Sequence, residues 1–317
     1  MDGELGCVRE GNDNKMNITK NQFEVLSLIE REGGRKISQR EMAEELHFSL
    51  GLVNKAFGEI SDMGLVSVNA KKEIQVTKQG LDALEPYRVK RAVIIAAGFG
   101  SRMVPITLNT PKPLVRVHNK MIVETLLDAI TAAGIQEIIL VRGYLWEQFD
   151  ILKHKYPQIK FMQNPLFNEA NNISSAWLAR GLMRNAYVCE ADLLVKNPKL
   201  VRKYEYCSNY LGQYKEMTDD WCFQVKHGVI KDLTVGGTDC YHMYGISYWD
   251  AKDGAKLEQD IETVYRMPGG KEKYWDEVPL RVCAKNYRVE VRPCYEGDII
   301  EIDTFQELKK IDPVYDI

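Results

Sequence analysis

A short apolar segment that runs into a glycine loop constrains this chain most. Residues 93–97 predict a buried strand, and the chain continues as Gly98-Phe99-Gly100-Ser101-Arg102-Met103. The segment Pro111-Lys112-Pro113-Leu114 follows shortly afterwards. Glycines let the backbone approach a ligand closely and direct its N–H groups at phosphate oxygens, and the Arg and Lys side chains would neutralise them. Because the third glycine of the dinucleotide-binding fingerprint is missing, the pattern indicates a phosphate loop of another kind.

Length and composition limit the classes of protein to consider. The chain has 317 residues, which predicts two domains, and its net charge of −3 argues against a strongly basic nucleic-acid surface. Seven cysteines without Cys-x-x-Cys spacing indicate free thiols, not a disulfide framework or a zinc site. Residues 1–17 are polar, lack the apolar stretch of a signal peptide and predict a disordered tail. No apolar run is long enough to span a bilayer. We therefore expect a cytoplasmic protein with no membrane partner.

Residues 18–88 predict a small domain of their own. Thr19, Ser38 and Ser49 each stand at the N-cap of a predicted helix, and Glu41 completes a capping box with Ser38. Two short alternating segments, 65–69 and 73–77, predict a β-hairpin, and a fourth helix follows from Lys78 to about residue 84. This order of elements, with the segment 37–46 as its second helix, resembles a winged helix-turn-helix domain of the MarR-like kind.

A winged helix suggests DNA binding through its third helix, but the charge of this segment argues against it. Residues 1–90 carry 13 Lys and Arg against 15 Asp and Glu, a net charge of −2. The third helix offers Asn54 and Lys55, and the hairpin offers Lys71 and Lys72. DNA readers normally present a basic face. We keep DNA binding as an alternative, and favour a packing, dimerisation or sensor role.

Residues 89–317 predict an α/β domain that begins after Pro86. Strands are predicted at 91–96, 137–142, 159–162 and 186–190, and helices at 121–133, 147–156 and 173–183. This alternation indicates a Rossmann-like, mostly parallel sheet with helices on both faces. Ligands bind at the carboxyl ends of the strands in such sheets, and the loop at Gly98 lies at one of those ends.

Two aspartates follow predicted strands and are candidate metal ligands. Asp192 comes after the apolar segment 187–191, and Asp303 comes after 299–302. Mg²⁺ prefers hard oxygen ligands such as carboxylates. Asp192 could instead begin a turn, and Asp303 could instead cap the helix that follows it. Glu190 shares a strand face with Asp192 and is a candidate supporting acid.

The chain becomes rich in aromatic residues beyond position 200. They include Tyr204, Tyr206, Tyr210, Tyr214, Trp221, Tyr241, Tyr244, Tyr248, Trp249, Tyr274 and Trp275. A quaternary ammonium donates no hydrogen bond, so a protein holds it with aromatic faces and carboxylates. Aromatic residues beside a nucleotide site therefore suggest a choline headgroup, although buried aromatic side chains are also common in cores.

The glycine loop together with Pro-Lys-Pro-Leu resembles the signature of nucleotidyltransferases of the nucleoside-diphosphate-sugar pyrophosphorylase type. A closer resemblance, over about residues 90–312, is to bacterial CTP:phosphocholine cytidylyltransferases of the LicC type. It rests on four further segments: Arg142-Gly143-Tyr144-Leu145-Trp146-Glu147-Gln148-Phe149, Asn171-Asn172-Ile173, Gly245-Ile246-Ser247-Tyr248-Trp249 and Tyr274-Trp275-Asp276.

This resemblance implies Mg²⁺-dependent transfer of CMP from CTP to phosphocholine, giving CDP-choline and pyrophosphate. It implies that Asp192 and Asp303 bind Mg²⁺, and that Arg102 and Lys112 contact the triphosphate and the incoming phosphate as catalytic residues. The implied nucleotide-binding residues are Ala96, Ala97, Gly98, Phe99, Gly100, Ser101, Arg102 and Asn172, of which the last could instead cap a helix. The implied choline-binding residues are Trp221, Tyr248 and Trp275, with Asp276 or Asp220 offsetting the charge.

Two other functions fit parts of the sequence. One is a sugar-1-phosphate nucleotidyltransferase, which would keep the loop chemistry and replace the aromatic wall by hydroxyl-binding polar groups. The other is a DNA-binding regulator whose transferase-like domain senses a nucleotide or a choline metabolite.

Overall fold

The computed structural model describes residues 17–71 and 73–316, which fall into two compact units. The first unit ends at Arg88 and the second begins at Val89. Most of the predicted tail, and Lys72 of the predicted hairpin, lie outside the described residues. Among the residues that are described, no helix has both the length and the apolar character needed to cross a membrane.

The helices of the first unit begin where the sequence predicts them. Thr19 and Ser49 accept a hydrogen bond from a backbone N–H of the first turn, and Ser38 with Glu41 forms the predicted capping box. These contacts satisfy N–H groups that a helix start leaves without partners. The elements are α1 (Lys20–Arg31), α2 (Gln39–Leu46), α3 (Leu50–Asp62), β1 (Val66–Val68), β2 (Ile74–Val76) and α4 (Lys78–Leu84). Strands β1 and β2 pair antiparallel. Assignment of this unit to the winged-helix class stays a prediction.

The second unit alternates strands and helices, and two long antiparallel strands precede its last helices and short strands. Its strands are β3 (Arg91–Ala96), β4 (Arg116–Val117), β5 (Lys120–Met121), β6 (Glu137–Arg142), β7 (Ile159–Gln163), β8 (Ala186–Glu190), β9 (Leu193–Val195), β10 (Asn209–Lys226), β11 (Val229–Trp249), β12 (Glu290–Pro293) and β13 (Ile299–Glu301). Its α-helices are α5 (Ile122–Ala132), α6 (Ile173–Ala179), α7 (Ala251–Arg266) and α8 (Phe305–Ile311). The predicted helix at 147–156 is a 3₁₀ helix over Trp146–His154.

Seven of these strands form one mixed sheet in the order β10-β12-β11-β8-β3-β6-β7. The four strands at one side of the sheet, β8, β3, β6 and β7, are parallel as predicted. Strand β11 joins β8 antiparallel, and β12 and β10 extend the sheet beyond it. This half, in which β10 and β12 pair parallel and the other pairs are antiparallel, was not predicted.

Hydrophobic clusters cover both faces of the sheet. Ile94 of β3 packs into one cluster, together with the apolar side of α5. Its neighbours Val93 and Ile95 point to the opposite cluster, which includes residues of α6 and α7. Alternate residues of a strand face opposite sides, so helices on both faces bury β3 from Ala92 to Ala96. The loops that follow β3 and β8 leave the sheet at the same edge, because the two strands are parallel.

Candidate active site

The glycine loop packs directly against the segment that carries Lys112. Gly100 has a φ of +62°, in the left-handed region that glycine adopts without steric cost. A Cβ atom at Gly100 would lie 2.8 Å from the Cβ atom of Lys112. The Thr107 hydroxyl donates a hydrogen bond of 2.9 Å to the Gly100 carbonyl. The loop therefore needs glycine here, and it holds Lys112 close to the end of β3.

The Lys112 ammonium joins the two predicted metal-binding carboxylates. Its Nζ atom lies 2.8 Å from Asp192 Oδ2 and 2.8 Å from Asp303 Oδ1. Arg102 reaches the same Asp303 oxygen at 2.9 Å. Burial alone would lower the pKa of Lys112, but the two aspartates outweigh it and hold that pKa above its usual value. The structure thus gathers both predicted cations and both predicted carboxylates into one cluster.

The pairing of two short strands explains how the aspartates meet. Glu301 of β13 pairs antiparallel with Leu193 of β9. Asp192 directly precedes β9, and Asp303 lies two residues beyond the end of β13. Since antiparallel partners run in opposite directions, the start of one strand lies beside the end of the other. Two acids that are distant in sequence therefore reach the same place.

Neither aspartate takes the local structural role that the sequence left open as an alternative to metal binding. The N-cap of α8 is Thr304, which forms a capping box with Glu307. The cap therefore lies one residue after Asp303, and Asp303 does not cap this helix. Asp192 Oδ1 is buried and has no hydrogen-bond partner among the described residues. Such an atom is costly unless something binds it. A hard divalent cation takes carboxylate oxygens, so Asp192 and Asp303 fit a metal such as Mg²⁺.

A cavity of about 480 Å³ adjoins this cluster. Its walls consist of Arg102, Glu190, Asp192, Asp220, Trp221, Leu233, Met243, Tyr274, Asp276, Glu277, Glu301 and Asp303. Seven of these side chains are carboxylates, and Arg102 is the one cation among the described lining residues. Such a wall favours ligands that bring positive charge with them.

Two buried carboxyls of the wall have strongly perturbed acidity. Burial, reinforced by the charge of Asp192, raises the pKa of Glu190 well above its usual range. Burial also raises the pKa of Asp276 to about 7, although a hydrogen bond from the Tyr210 hydroxyl opposes the shift. A cation near either group would favour its ionised form. Perturbed acids in a cavity are typical of functional sites.

An aromatic pair lies on the same wall. The rings of Trp221 and Tyr274 meet edge to face, with centroids 5.6 Å apart. The carboxylates of Asp220, Asp276 and Glu277 line the cavity with them. Trp221, Asp220 and Asp276 were predicted for the acceptor site. Tyr274 and Glu277 were not, although both lie within two residues of Trp275, which was.

The other two predicted cage residues lie in the core. Tyr248 is fully buried and packs edge-on against Tyr187 at 5.8 Å. Trp275 is 1% exposed and stacks on Tyr210 at 6.5 Å. Neither lines the cavity, so the structure places neither ring in the wall where a choline headgroup was expected to bind. Tyr248 is buried because the last residues of β11 pair with β8 inside the sheet.

Asn172 takes a third role that the sequence did not suggest. Its side chain does not cap α6. Instead its Oδ1 accepts the Trp275 backbone N–H at 2.8 Å, and its Nδ2 reaches Glu190 Oε1 at 3.4 Å. Asn172 therefore positions one buried acid of the cavity and the segment that carries Tyr274. Its predicted contact with the nucleotide stays a prediction, as do those of the loop residues.

Sequence and structure comparisons identify the family. The nucleotidyl transferase family model matches residues 91–188. A 2-aminoethylphosphonate cytidylyltransferase from Lancefieldella rimae is 35% identical over 71% of this chain and 92% of its own length. The chain belongs to the LicC-like cytidylyltransferases. A choline-phosphate cytidylyltransferase from Streptococcus pneumoniae is 33% identical over 71% of this cytidylyltransferase and 97% of its own length.

A solved structure supports the same assignment. The CTP:phosphocholine cytidylyltransferase LicC from Streptococcus pneumoniae superposes with a TM-score of 0.66 at 32% identity. That match covers 72% of this cytidylyltransferase and 99% of the solved chain. The second unit therefore has the α/β nucleotidyltransferase fold, and the protein is an enzyme of the nucleotidyltransferase type.

Proposed function

We propose that this cytidylyltransferase transfers CMP from CTP to phosphocholine, giving CDP-choline and pyrophosphate. The observation that carries the proposal is the pairing of Trp221 and Tyr274 with carboxylates in a cavity that adjoins the Lys112 cluster. A zwitterionic acceptor has the charges that this arrangement needs. Its anionic end would meet Arg102 and Lys112, and its cationic end would meet the acidic, aromatic wall.

The phosphate side of the reaction needs positioning and charge neutralisation. A phosphate oxygen of the acceptor attacks the α-phosphorus of CTP, the bond from that phosphorus to the α–β bridging oxygen breaks, and pyrophosphate leaves with the bond's electrons. The Gly98–Gly100 loop would direct backbone N–H groups at the triphosphate. Lys112 and Arg102 would neutralise charge that builds up on the transferring group.

Asp192 and Asp303 would hold Mg²⁺ in this reaction. The metal would supply positive charge to phosphate oxygens during transfer. The unpartnered, buried Oδ1 atom of Asp192 supports this assignment. Lys112 would then be freed from the two carboxylates to contact phosphate.

The headgroup side determines the choice of acceptor. A quaternary ammonium against aromatic faces gains about 0.5–2 kcal/mol, and Trp221 and Tyr274 offer such faces. A primary amine, as in 2-aminoethylphosphonate, is the second candidate. It is favoured by the excess of carboxylates, which accept hydrogen bonds from an ammonium, and by the name of the Lancefieldella rimae relative.

The other functions are less well supported. A sugar phosphate needs amide and carboxylate partners for its hydroxyl groups, and the described lining residues include no Asn or Gln. A sensor would not require the cluster of Arg102, Lys112, Asp192 and Asp303. The six described cysteines are free thiols, which supports a cytoplasmic location.

Pyrophosphate release from the full-length protein tests the proposal. The assay would compare CTP, UTP and ATP with phosphocholine, phosphoethanolamine, 2-aminoethylphosphonate and glucose-1-phosphate. We expect turnover with CTP and phosphocholine. Trp221→Ala should raise the KM for phosphocholine, whereas Trp146→Ala, at an exposed Trp outside the cavity, serves as the matched control. Preferred turnover of 2-aminoethylphosphonate would select the second candidate, and turnover of glucose-1-phosphate alone would contradict both.

A further inference from the structure

Three side chains from three strands meet on the cavity side of the sheet. They are Asp220 of β10, His242 of β11 and Glu301 of β13. One carboxylate oxygen or imidazole nitrogen of each lies within 4.8 Å of those of the other two. All three side chains are half-buried, and Asp220 and Glu301 line the cavity.

We propose that Asp220, His242 and Glu301 form a second divalent-metal site, separate from the Asp192–Asp303 pair. One imidazole and two carboxylates are the donor set of many transition-metal sites that have three protein ligands and one open position. Mg²⁺ prefers oxygen ligands alone. The site would therefore select Zn²⁺, Co²⁺ or Mn²⁺ over Mg²⁺.

The distances fit this class of ion. A tetrahedral Zn²⁺ with bonds of about 2.0–2.2 Å places its ligand atoms about 3.4 Å apart. His242 Nε2 and Glu301 Oε2 are already 3.6 Å apart. Asp220 must move in by up to about 1.4 Å to complete the set, given the 4.8 Å limit. Its Oδ1 atom accepts the Trp221 N–H, which leaves its other oxygen for a metal.

The charge of the surroundings supports a cation independently of these distances. Seven carboxyl side chains line the cavity, and among its described lining residues Arg102 is the one cation. Arg102 is already paired with Asp303. His242 is the third member of the group and lies beside both carboxylates. A divalent ion at this position would neutralise both carboxylates.

Titration of the metal-free, full-length protein with Co²⁺ tests the proposal. Co²⁺ reports its ligands through its visible absorption. We expect two sites per chain in the wild type, and one site with altered visible absorption in His242→Ala. Asp192→Asn should instead lose the other site and keep the His-dependent absorption. His227→Ala is the matched control, since His227 is exposed in the turn between β10 and β11.

A second variant, and the Co²⁺ spectra of all three proteins, can refute the proposal. Glu301→Gln should lose the same Co²⁺ site, which covers the case in which His242→Ala fails to fold. Equal Co²⁺ stoichiometry and spectra in wild type, His242→Ala and Glu301→Gln would overturn the proposal, because His242 would then serve only as a hydrogen-bond partner of Glu301. None of these measurements depends on the identity of the acceptor.

Discussion

Replacing Lys112 by methionine should destabilise the metal-free second unit and make it bind metal more tightly. The substitution removes the ammonium that lies 2.8 Å from both Asp192 and Asp303. Removing one partner of a buried ion pair costs about 3–5 kcal/mol. The aspartate side chains keep 27% and 15% of their exposure, and Arg102 still pairs with Asp303. We therefore expect a loss of about 2–3 kcal/mol in the free energy of unfolding.

Divalent metal should restore much of this loss. The ion would replace the missing positive charge, and in the variant it need not displace an ammonium. A ligand at 100 times its Kd that binds only the folded state adds about 2.7 kcal/mol. A gain of about 2 kcal/mol in binding corresponds to roughly 30-fold tighter metal affinity. Turnover should still fall by about 10²–10³-fold, because one group that stabilises the transferring phosphate is lost.

Urea unfolding followed by tryptophan fluorescence measures the effect on the second unit alone. All five tryptophans lie between residues 146 and 275, so the first unit does not contribute. Lys231→Met is the control, since Lys231 is exposed on β11. If metal-free Lys112→Met is as stable as the wild type, the Lys112 ammonium does not compensate the charge of the two aspartates. If metal does not restore the lost free energy of unfolding, the ion does not replace that ammonium.

Three other predictions follow from the site. Asp192→Asn should lower turnover by at least about 10³-fold with an unchanged circular dichroism spectrum, and near-normal rates would remove Asp192 from the site. Asp276, with its pKa raised to about 7, holds its proton in the folded state at pH values where the unfolded chain has lost it. The stability that Asp276 contributes should therefore fall as pH rises from about 4 to about 7, and Asp276→Asn should remove that contribution in urea unfolding. Gly245→Ala should displace Glu190, because the new Cβ would lie 2.3 Å from Glu190 Oε2. An unchanged KM for the acceptor in that variant would show that the position of Glu190 does not matter for binding.

The sequence predicted those features that depend on neighbouring residues. Thr19, Ser38 and Ser49 cap helices because a cap contacts the backbone only two or three residues away. The parallel strands at 91–96 and 186–190 were predicted with their observed bounds, since continuous apolar runs identify buried strands. Asp192 and Asp303 were placed correctly at the ends of strands for the same reason.

Features that depend on distant pairing were missed. Composition beyond residue 200 showed many aromatic residues but not which side each would face. Tyr248 was assigned to a ligand and belongs to the core, whereas Tyr274 was passed over and lines the cavity. The meeting of Asp220, His242 and Glu301 depends on how β10, β11 and β13 come together, and no local spacing connects them. Asp303 was correctly expected to lie in the cluster. The helix cap that was its alternative role is formed by Thr304 instead.

Phosphorus NMR of the products shows directly whether CMP is transferred to phosphocholine. The full-length protein would be incubated with CTP, phosphocholine and Mg²⁺, and the phosphorus resonances followed over time. We expect the phosphomonoester signal of phosphocholine to disappear. Pyrophosphate and CDP-choline, the latter with two coupled phosphorus signals, should appear in equal amounts. A spectrum in which CTP is consumed while phosphocholine remains unchanged, or in which nothing reacts, would contradict this expectation.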